Sequence, residues 1–385
     1  MVLALAGGAA FAQGWTFSGL VDGGLAVVIA DDADDPAVTV VSREQNAGVR
    51  TWLQGNFVNA DATGGLNFRL RAQNITADNA TDAHVQFAFG WLSFMDGMVT
   101  VNGGLVDNGF FNSLDRMMAD DSGEGVGLFT VVRPMDNLHI GIGAFTRGDS
   151  WLDDSHAGDN VHPQGSISLS YLEPDTFRIT AGFRNRAGGP QGGAPYYAFP
   201  LWRTSQAYLS FSFLGAPGMH AAVTARFQNL EDFGDAGDMR FYATFAHTGL
   251  VENMGLHLGA SFGMTMADYI APGVESAPHV WVWAAVDYAL SDVVVPRLDL
   301  HYVMGGRIQA ANSNSLHNNI IRDGVSFHED HSFLRIQPSV QFRVAPANAF
   351  LELGCVFHMN MGDAGTWLSA DNMDMALYAL VRVVF

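Results

Sequence analysis

The sequence predicts an all-β fold, a transmembrane antiparallel up-and-down β-barrel of about 18 strands, with about 16 as the alternative. Three observations predict it. From Trp15 onward, runs of roughly ten residues alternate apolar side chains with polar or small ones. Short and long connections alternate between these runs. The chain ends on one more alternating run, ALYALVRVVF (376–385).

The alternation indicates which face of the sheet is apolar. In GLNFRLRAQ (65–73), leucine and phenylalanine share one face of a strand, and arginine, asparagine and glutamine share the other. FRITAGFRNR (177–186) and FLRIQPSVQFRV (333–344) repeat this pattern. A face of arginines and amides suits water and cannot form a packed core, so we expect the apolar face to point outward into lipid. Only a closed barrel lets a sheet satisfy its backbone hydrogen bonds in hydrocarbon.

The connections fall into two classes. Tight turns, rich in Gly, Pro, Asn or Asp, reverse the chain within a few residues. They occupy 61–64, 95–98, 133–137, 173–176, 215–218, 251–255, 290–294 and 345–348. Longer connections occupy 31–45, 75–83, 107–124, 147–163, 187–203, 230–237, 267–277, 306–330 and 360–371. Their strict alternation predicts short turns at one end of the barrel and long loops at the other.

Two further patterns concern the membrane. No window approaches the roughly 18 consecutive apolar residues of a membrane helix, which excludes a helical membrane protein. Aromatic residues near strand ends are predicted to form the interfacial girdles of a barrel. They are Phe94, Phe145, Tyr171, Phe177, Phe213 and Tyr288.

Composition argues against several classes of function. The formal net charge is −20, whereas nucleic-acid binding needs a basic stripe. All 19 basic residues are arginines. Cys355 is the only cysteine, so no disulfide framework and no cysteine metal site is predicted.

Catalytic and metal-binding motifs are missing as well. No G-x-S-x-G, Walker A or dinucleotide-binding motif follows a strand, so we predict no enzyme and no cofactor. HEDH (328–331) lacks the spacing of a zinc protease motif, and DDADD (31–35) lacks the glycine and distal glutamate of an EF-hand loop. Histidines 301, 317, 328 and 331 are interpreted as solvated loop residues, and no metal site is predicted. Weak cation binding or lipopolysaccharide bridging by the external loops stays an open alternative.

The N-terminus, MVLALAGGAAFAQGW, has the apolar core of a secretory signal followed by an A-x-A cleavage site at 10–12. A basic segment before the apolar core is absent. We expect residues 1–12 to be a signal peptide, truncated at its N-terminus, and residues 13–385 to form one barrel domain.

The C-terminal run resembles the closing strand of the bacterial outer-membrane porins, which ends in phenylalanine with apolar residues at alternate positions. Val381, Val383 and Phe385 match this signal, which the barrel-assembly machinery reads; Tyr378 departs from it by lying on the opposite face. The resemblance implies an integral outer-membrane protein in contact with lipid, with periplasmic short turns and external long loops. It also implies passive diffusion of small hydrophilic solutes and ions, and a homotrimer, which is common in that family.

Charge is unevenly distributed, because carboxylates gather in the long connections and arginines on the polar strand faces. Arginine stays charged and holds planar contacts to carboxylates, and rings of charge select ions in pores. We therefore expect an ion-discriminating pore wall, with scaffold pairing to loop carboxylates or to Asp287, Asp299 and Glu352 as the alternative. The candidate wall residues are Arg50, Arg69, Arg71, Arg178, Arg184, Arg186, Arg226, Arg335 and Arg343.

The third long connection, 107–124, combines apolar residues at helical spacing with acidic ones. By resemblance to porins it is the candidate constriction loop, folded into the barrel. Its acidic residues are Asp115, Asp120, Asp121 and Glu124. Covering the mouth or contacting a neighbouring subunit is the alternative.

Other classes of barrel remain open at this point. A barrel enzyme needs a serine–histidine or paired-acid site at one rim, and no such site can be assembled. A gated carrier of hydrophobic compounds needs an apolar lumen and an N-terminal plug. An adhesin or structural barrel, or a substrate-specific channel, is the main alternative to a general porin.

Overall fold

The computed structural model describes residues 14–30, 37–42, 49–75, 82–107, 111, 124–146, 163–185, 205–230, 233–266, 276–304, 332–344, 348–361 and 373–385. Their strands are β1 (Trp15–Ala30), β2 (Ala37–Val41), β3 (Val49–Val58), β4 (Gly64–Ile75), β5 (Asp82–Phe94), β6 (Val99–Asp107), β7 (Glu124–Met135), β8 (Leu138–Thr146), β9 (Pro163–Glu173), β10 (Phe177–Asn185), β11 (Ser205–Phe213), β12 (Met219–Gln228), β13 (Asp238–Thr248), β14 (Met254–Thr265), β15 (Ala277–Tyr288), β16 (Val294–Met304), β17 (Phe333–Val344), β18 (Asn348–Asn360) and β19 (Met373–Val384). A short helix, α1 (Phe233–Ala236), precedes β13. In the described ranges, no helix has the length and hydropathy to cross a bilayer.

The strands form one closed antiparallel sheet in which each strand from β3 to β18 pairs with the next one in the chain. Strand β1 closes the barrel by pairing with β19 through Leu20–Ala30. On its other side, β1 pairs with β3 through Trp15–Asp22 and with β2 through Gly24–Val28. Because β2 and β3 share one position end to end, the described strands fill 18 positions. The predicted all-β barrel is confirmed, although β2 lies within the predicted connection 31–45.

The tight turns lie at one end of the barrel, as predicted, where the structure describes them. In the turn after β5, Met95 and Asp96 both have φ of 53°, and the Gly97 amide donates to the Phe94 carbonyl at 3.2 Å. Gly97 follows with φ of 90°, so a run of residues with positive φ reverses the chain between Phe94 and Val99. Residues 345–347 lie outside the described residues.

The apolar face points outward and the polar face inward, as the alternation predicts. Leu66 and Phe183 are 38% and 43% exposed on the outer surface, with Phe68 and Ile179 half-buried beside them. Arg335 and Gln337 are buried on the inner face. A protein with aliphatic side chains on its outside and guanidinium groups on its inside is built for a hydrocarbon surrounding.

Five of the six predicted girdle aromatics lie on the outer face at the short-turn end, where the rings of Tyr171 and Phe177 are 5.9 Å apart. The prediction was wrong for Phe145. It is 3% exposed and stacks on Phe129 at 6.0 Å on the inner face. The cause is parity, since Phe145 shares the inward positions of β8 with Gly141 and Gly143, whose missing side chains leave room for aromatic rings.

The C-terminal residue completes the seam. Phe385 exchanges two backbone hydrogen bonds with Gly19, of 2.7 and 3.0 Å, and its ring lies over that glycine. Val381 and Phe385 face outward with about half of their surface exposed. Recognition of Val381, Val383 and Phe385 by the assembly machinery stays a prediction.

Candidate functional site

The inner face gathers the arginines. All twelve arginines in the described ranges occupy inward positions of their strands. They are Arg50, Arg69, Arg71, Arg133, Arg178, Arg184, Arg226, Arg240, Arg297, Arg335, Arg343 and Arg382. Of the predicted wall residues, Arg186 lies outside the described residues, and the others lie on this face. Their role in selecting ions stays a prediction.

Two of these arginines share one buried carboxylate. Asp238, at the long-loop end of β13, accepts a hydrogen bond from Arg240 Nε at 2.9 Å and lies 3.7 Å from Arg226 Nη2. Arg226 and Arg240 are direct cross-strand partners, and like charges in that position repel. The carboxylate of Asp238 offsets this repulsion, so this trio supports the scaffold interpretation.

Other carboxylate contacts lie nearer the short turns. Arg297 makes a bidentate contact with Asp299, at 2.6 and 2.7 Å. Arg382 lies 3.8 Å from the buried Asp22, which is also the cross-strand partner of Arg50. The contact of Arg382 with Asp22 links β19 to β1, whereas Arg297 and Asp299 both lie on β16.

A further set of arginines has neutral hydrogen-bond acceptors. Arg178 Nε donates to the Ser170 hydroxyl at 3.2 Å, and Arg184 Nη2 donates to the Gln206 side-chain oxygen at 3.3 Å. Arg343 donates twice to Gln341, at 3.3 and 3.2 Å. Amide and hydroxyl oxygens orient a guanidinium and bring no negative charge to it.

Aromatic residues form a patch on the inner face that the sequence analysis missed. Its members, with Ala285 and Val303, are Tyr208, Tyr242, Trp281, Trp283 and Phe333. The run VWVWAAV (280–286) hides them, because both faces of that strand are apolar. Trp281 and Trp283 occupy the same face of the strand as Asp287, because all three are separated by even numbers of residues. The charged Asp287 is the signal that this face points inward.

His301 belongs to this patch, so its interpretation as a solvated loop residue was wrong. It lies in β16 and is 3% exposed, because the Trp281 ring stacks on its ring at 5.9 Å and the Trp283 ring packs against it, tilted, at 6.2 Å. Trp281 Nε1 donates to His301 Nδ1 at 3.1 Å. Histidines 317, 328 and 331 lie outside the described residues. Among those that are described, no three His, Cys, Asp or Glu side chains form a group that suits a metal ion.

Tyr378, the departure from the porin pattern, has a structural explanation. Its hydroxyl donates to Glu352 Oε1 and accepts from Gln337 Nε2, both at 3.0 Å. Gln341 Nε2 donates to the other oxygen of Glu352 at 3.0 Å. These bonds tie β19 to β18 and β17 from the inside, so the inward side of the closing strand contributes to the barrel's stability.

The third long connection reaches the inner face at Phe111. This buried ring packs edge-on against Phe129 at 5.7 Å and lies against Gly141 of β8. The Tyr208 hydroxyl of β11 donates to the Phe111 carbonyl at 2.7 Å. Phe129 lies halfway along β7, so Phe111 sits near mid-height. Asp115, Asp120 and Asp121 lie outside the described residues, and Glu124 begins β7.

No protein-family model matches the chain, and no curated protein matches it in sequence. Solved structures share its fold. The outer membrane protein OprD from Pseudomonas aeruginosa aligns with a TM-score of 0.55 over 98% of this chain and 95% of that chain, at 10% identity. OccD3 (OpdP) from the same organism aligns with a TM-score of 0.53 over 99% and 93%, at 11% identity. OpdQ, also from Pseudomonas aeruginosa, aligns with a TM-score of 0.52 over 97% of each chain, at 10% identity.

Proposed function

We propose that this chain, which has the fold of the outer-membrane porins, is an integral outer-membrane protein that forms a water-filled channel. Small hydrophilic solutes and ions diffuse through it down their gradients. One observation carries the proposal: every arginine in the described part of the chain faces the interior, while large aliphatic side chains are exposed outside. Lipid surrounds such a surface, and water fills the space that guanidinium groups line.

The wall is expected to favour anions. The inner face of the described strands carries twelve arginines. Seven inward positions of these strands carry carboxylates: Asp22, Asp82, Asp238, Asp287, Asp299, Glu352 and Asp374. Charges that line a pore raise the local concentration of counter-ions. The contacts of Arg226, Arg240 and Arg297 with carboxylates support the scaffold interpretation for those three. Arg69 and Arg184 donate to glutamine side chains and are proposed as part of the ion-discriminating wall.

Planar bilayers test the function. The refolded protein, shown to be a closed barrel by its heat-dependent gel migration, is expected to produce stepwise currents. In a salt gradient, the sign of the reversal potential should show that anions permeate more readily than cations. Arg71→Ala should shift this reversal potential toward zero. A folded barrel that yields no current steps would favour the adhesin or structural alternative. A reversal potential unchanged in Arg71→Ala would assign Arg71 to the scaffold.

Connection 107–124 is proposed as a constriction. Phe111 supports this, because its contacts with β7, β8 and β11 place this one residue of the connection against the inner wall. Replacing Phe111 by alanine removes the ring that fills the space above Gly141, and burial of such a ring stabilises its position by roughly 3 kcal/mol. The single-channel conductance is expected to rise, because the connection loses its anchor.

Tyr208→Phe is the matched control for that experiment. It removes the hydrogen bond to the Phe111 carbonyl and keeps the aromatic ring. The loss of this hydrogen bond is expected to lower stability by about 1 kcal/mol. Its conductance is expected to stay closer to wild type than that of Phe111→Ala. Equal conductance in wild type and Phe111→Ala would contradict the constriction.

A further inference from the structure

Arg69 lies halfway along β4, and its guanidinium is held at three nitrogens. Nε donates to the side-chain oxygen of Gln54 at 3.0 Å, and Nη2 donates to the same oxygen. Nη1 donates to the side-chain oxygen of Gln86 at 3.4 Å. Gln54 is on β3 and Gln86 on β5, so the two amides grip the guanidinium from the strands on either side.

Aromatic rings restrain the plane of the same group. The Cζ atom of Arg69 lies 4.6 Å from the centroid of the Trp52 ring and 5.0 Å from that of Phe87. Guanidinium groups stack favourably on aromatic faces at such distances. Phe87 is itself buried. Arg69 is therefore fixed in both position and orientation.

A β-bulge brings Gln86 to this site. Arg69 pairs with Phe87, but the next residue, Leu70, pairs with Val85, so Gln86 is the extra residue on β5. Phe87 faces inward, so strict alternation along β5 would place the preceding residue, Gln86, on the lipid side. The bulge interrupts this alternation and turns the amide toward Arg69. Bulges commonly re-aim one side chain in this way beside functional sites.

Both acceptors are side-chain amides. The oxygens of Gln54 and Gln86 orient the Arg69 guanidinium from the two neighbouring strands. We propose that Gln54 and Gln86 are positioning residues that hold the Arg69 guanidinium as a fixed cation, and that this cation sets the anion preference of the channel. This inference rests on the proposed channel function.

Two glutamine variants that leave the net charge unchanged, and one variant that removes the charge of Arg69, test the positioning role. Gln54→Leu and Gln86→Ala each remove an acceptor, and Arg69→Gln removes the cation. Reversal potentials in a potassium chloride gradient give the anion-to-cation permeability ratio of each. We expect Arg69→Gln to lower this ratio about twofold, which corresponds to about 0.4 kcal/mol. Gln54→Leu and Gln86→Ala should each produce part of that fall, and Arg69→Lys should not restore the wild-type ratio, because an ammonium lacks the planar fork.

Thr244→Val is the control, since it replaces an inward hydroxyl by a group of the same shape on the distant strand β13. It should leave the ratio unchanged. Heat-dependent gel migration shows whether each variant is a closed barrel, and only closed barrels are compared. Wild-type ratios in both glutamine variants, together with a lowered ratio in Arg69→Gln, overturn the positioning role. A wild-type ratio in Arg69→Gln overturns the whole inference while the channel stands, whereas absence of channels in all variants and in wild type overturns the proposed function.

Discussion

Replacing Gly24 by valine is expected to prevent the barrel from closing. Gly24 pairs with Leu380 of the last strand on one side and with Val41 of β2 on the other. A Cβ at this position would meet the backbone oxygen of Ala379, and would lie 2.5 Å from the Cα and 2.7 Å from the Cβ of Leu380. Backbone atoms cannot swing away as a side chain does, so β19 has to separate from β1.

The expected cost is about 3 kcal/mol or more of the free energy of unfolding, the upper end of the range for overpacking. Gel migration of the refolded protein gives the fraction that forms a closed barrel, and the midpoint of urea unfolding gives the loss of stability. Gly90→Val is the matched control, because Gly90 faces lipid and a Cβ there meets only the Gly65 oxygen, at 3.7 Å. A Gly24→Val barrel that closes as well as the control would contradict this account of the seam.

Replacing Asp238 by asparagine is expected to produce the second large loss. The carboxylate is fully buried, and Arg226 and Arg240 beside it are 5% and 4% exposed. Without it, two buried guanidinium groups face each other as cross-strand partners. Removing one member of a buried ionic group typically costs 3–5 kcal/mol, so a fall of about 3 kcal/mol in the free energy of unfolding is expected.

Urea unfolding of the refolded protein measures this loss. Asp235→Asn, an exposed acidic residue on α1, makes the same chemical change and should stay within about 0.5 kcal/mol of wild type. Adding Arg226→Met to Asp238→Asn should recover part of the loss, because one of the two repelling charges is gone. A single variant as stable as wild type would show that the shared carboxylate is not what holds the pair.

The barrel itself was predictable from the sequence. Alternation in runs such as 65–73 assigns each residue to one of two faces, and this assignment needs only the neighbours along the chain. It correctly placed Leu66 and Phe183 outside and Arg69 and Arg184 inside. The alternation of short turns with long connections correctly predicted the number of strand positions around the barrel.

The candidate site was predictable only as a list of residues on the inner face. The alternation did not show that Asp238 contacts both Arg226 and Arg240, or that Glu352 accepts a hydrogen bond from Tyr378. The bulge that turns Gln86 inward breaks the parity on which the sequence argument depends. Phe145 failed for a related reason, since an aromatic residue near a strand end fits a girdle or an interior equally well until its inward neighbours are known.

By itself the sequence determined which side of the sheet each strand residue faces, because that side alternates from one residue to the next along the chain. Only the tertiary structure decided which side chains meet, how β2 and β3 share one position beside β1, and where β19 closes on β1. Those outcomes depend on the register between strands that lie far apart in the chain. A shift of register by two residues keeps every face unchanged while it changes every partner.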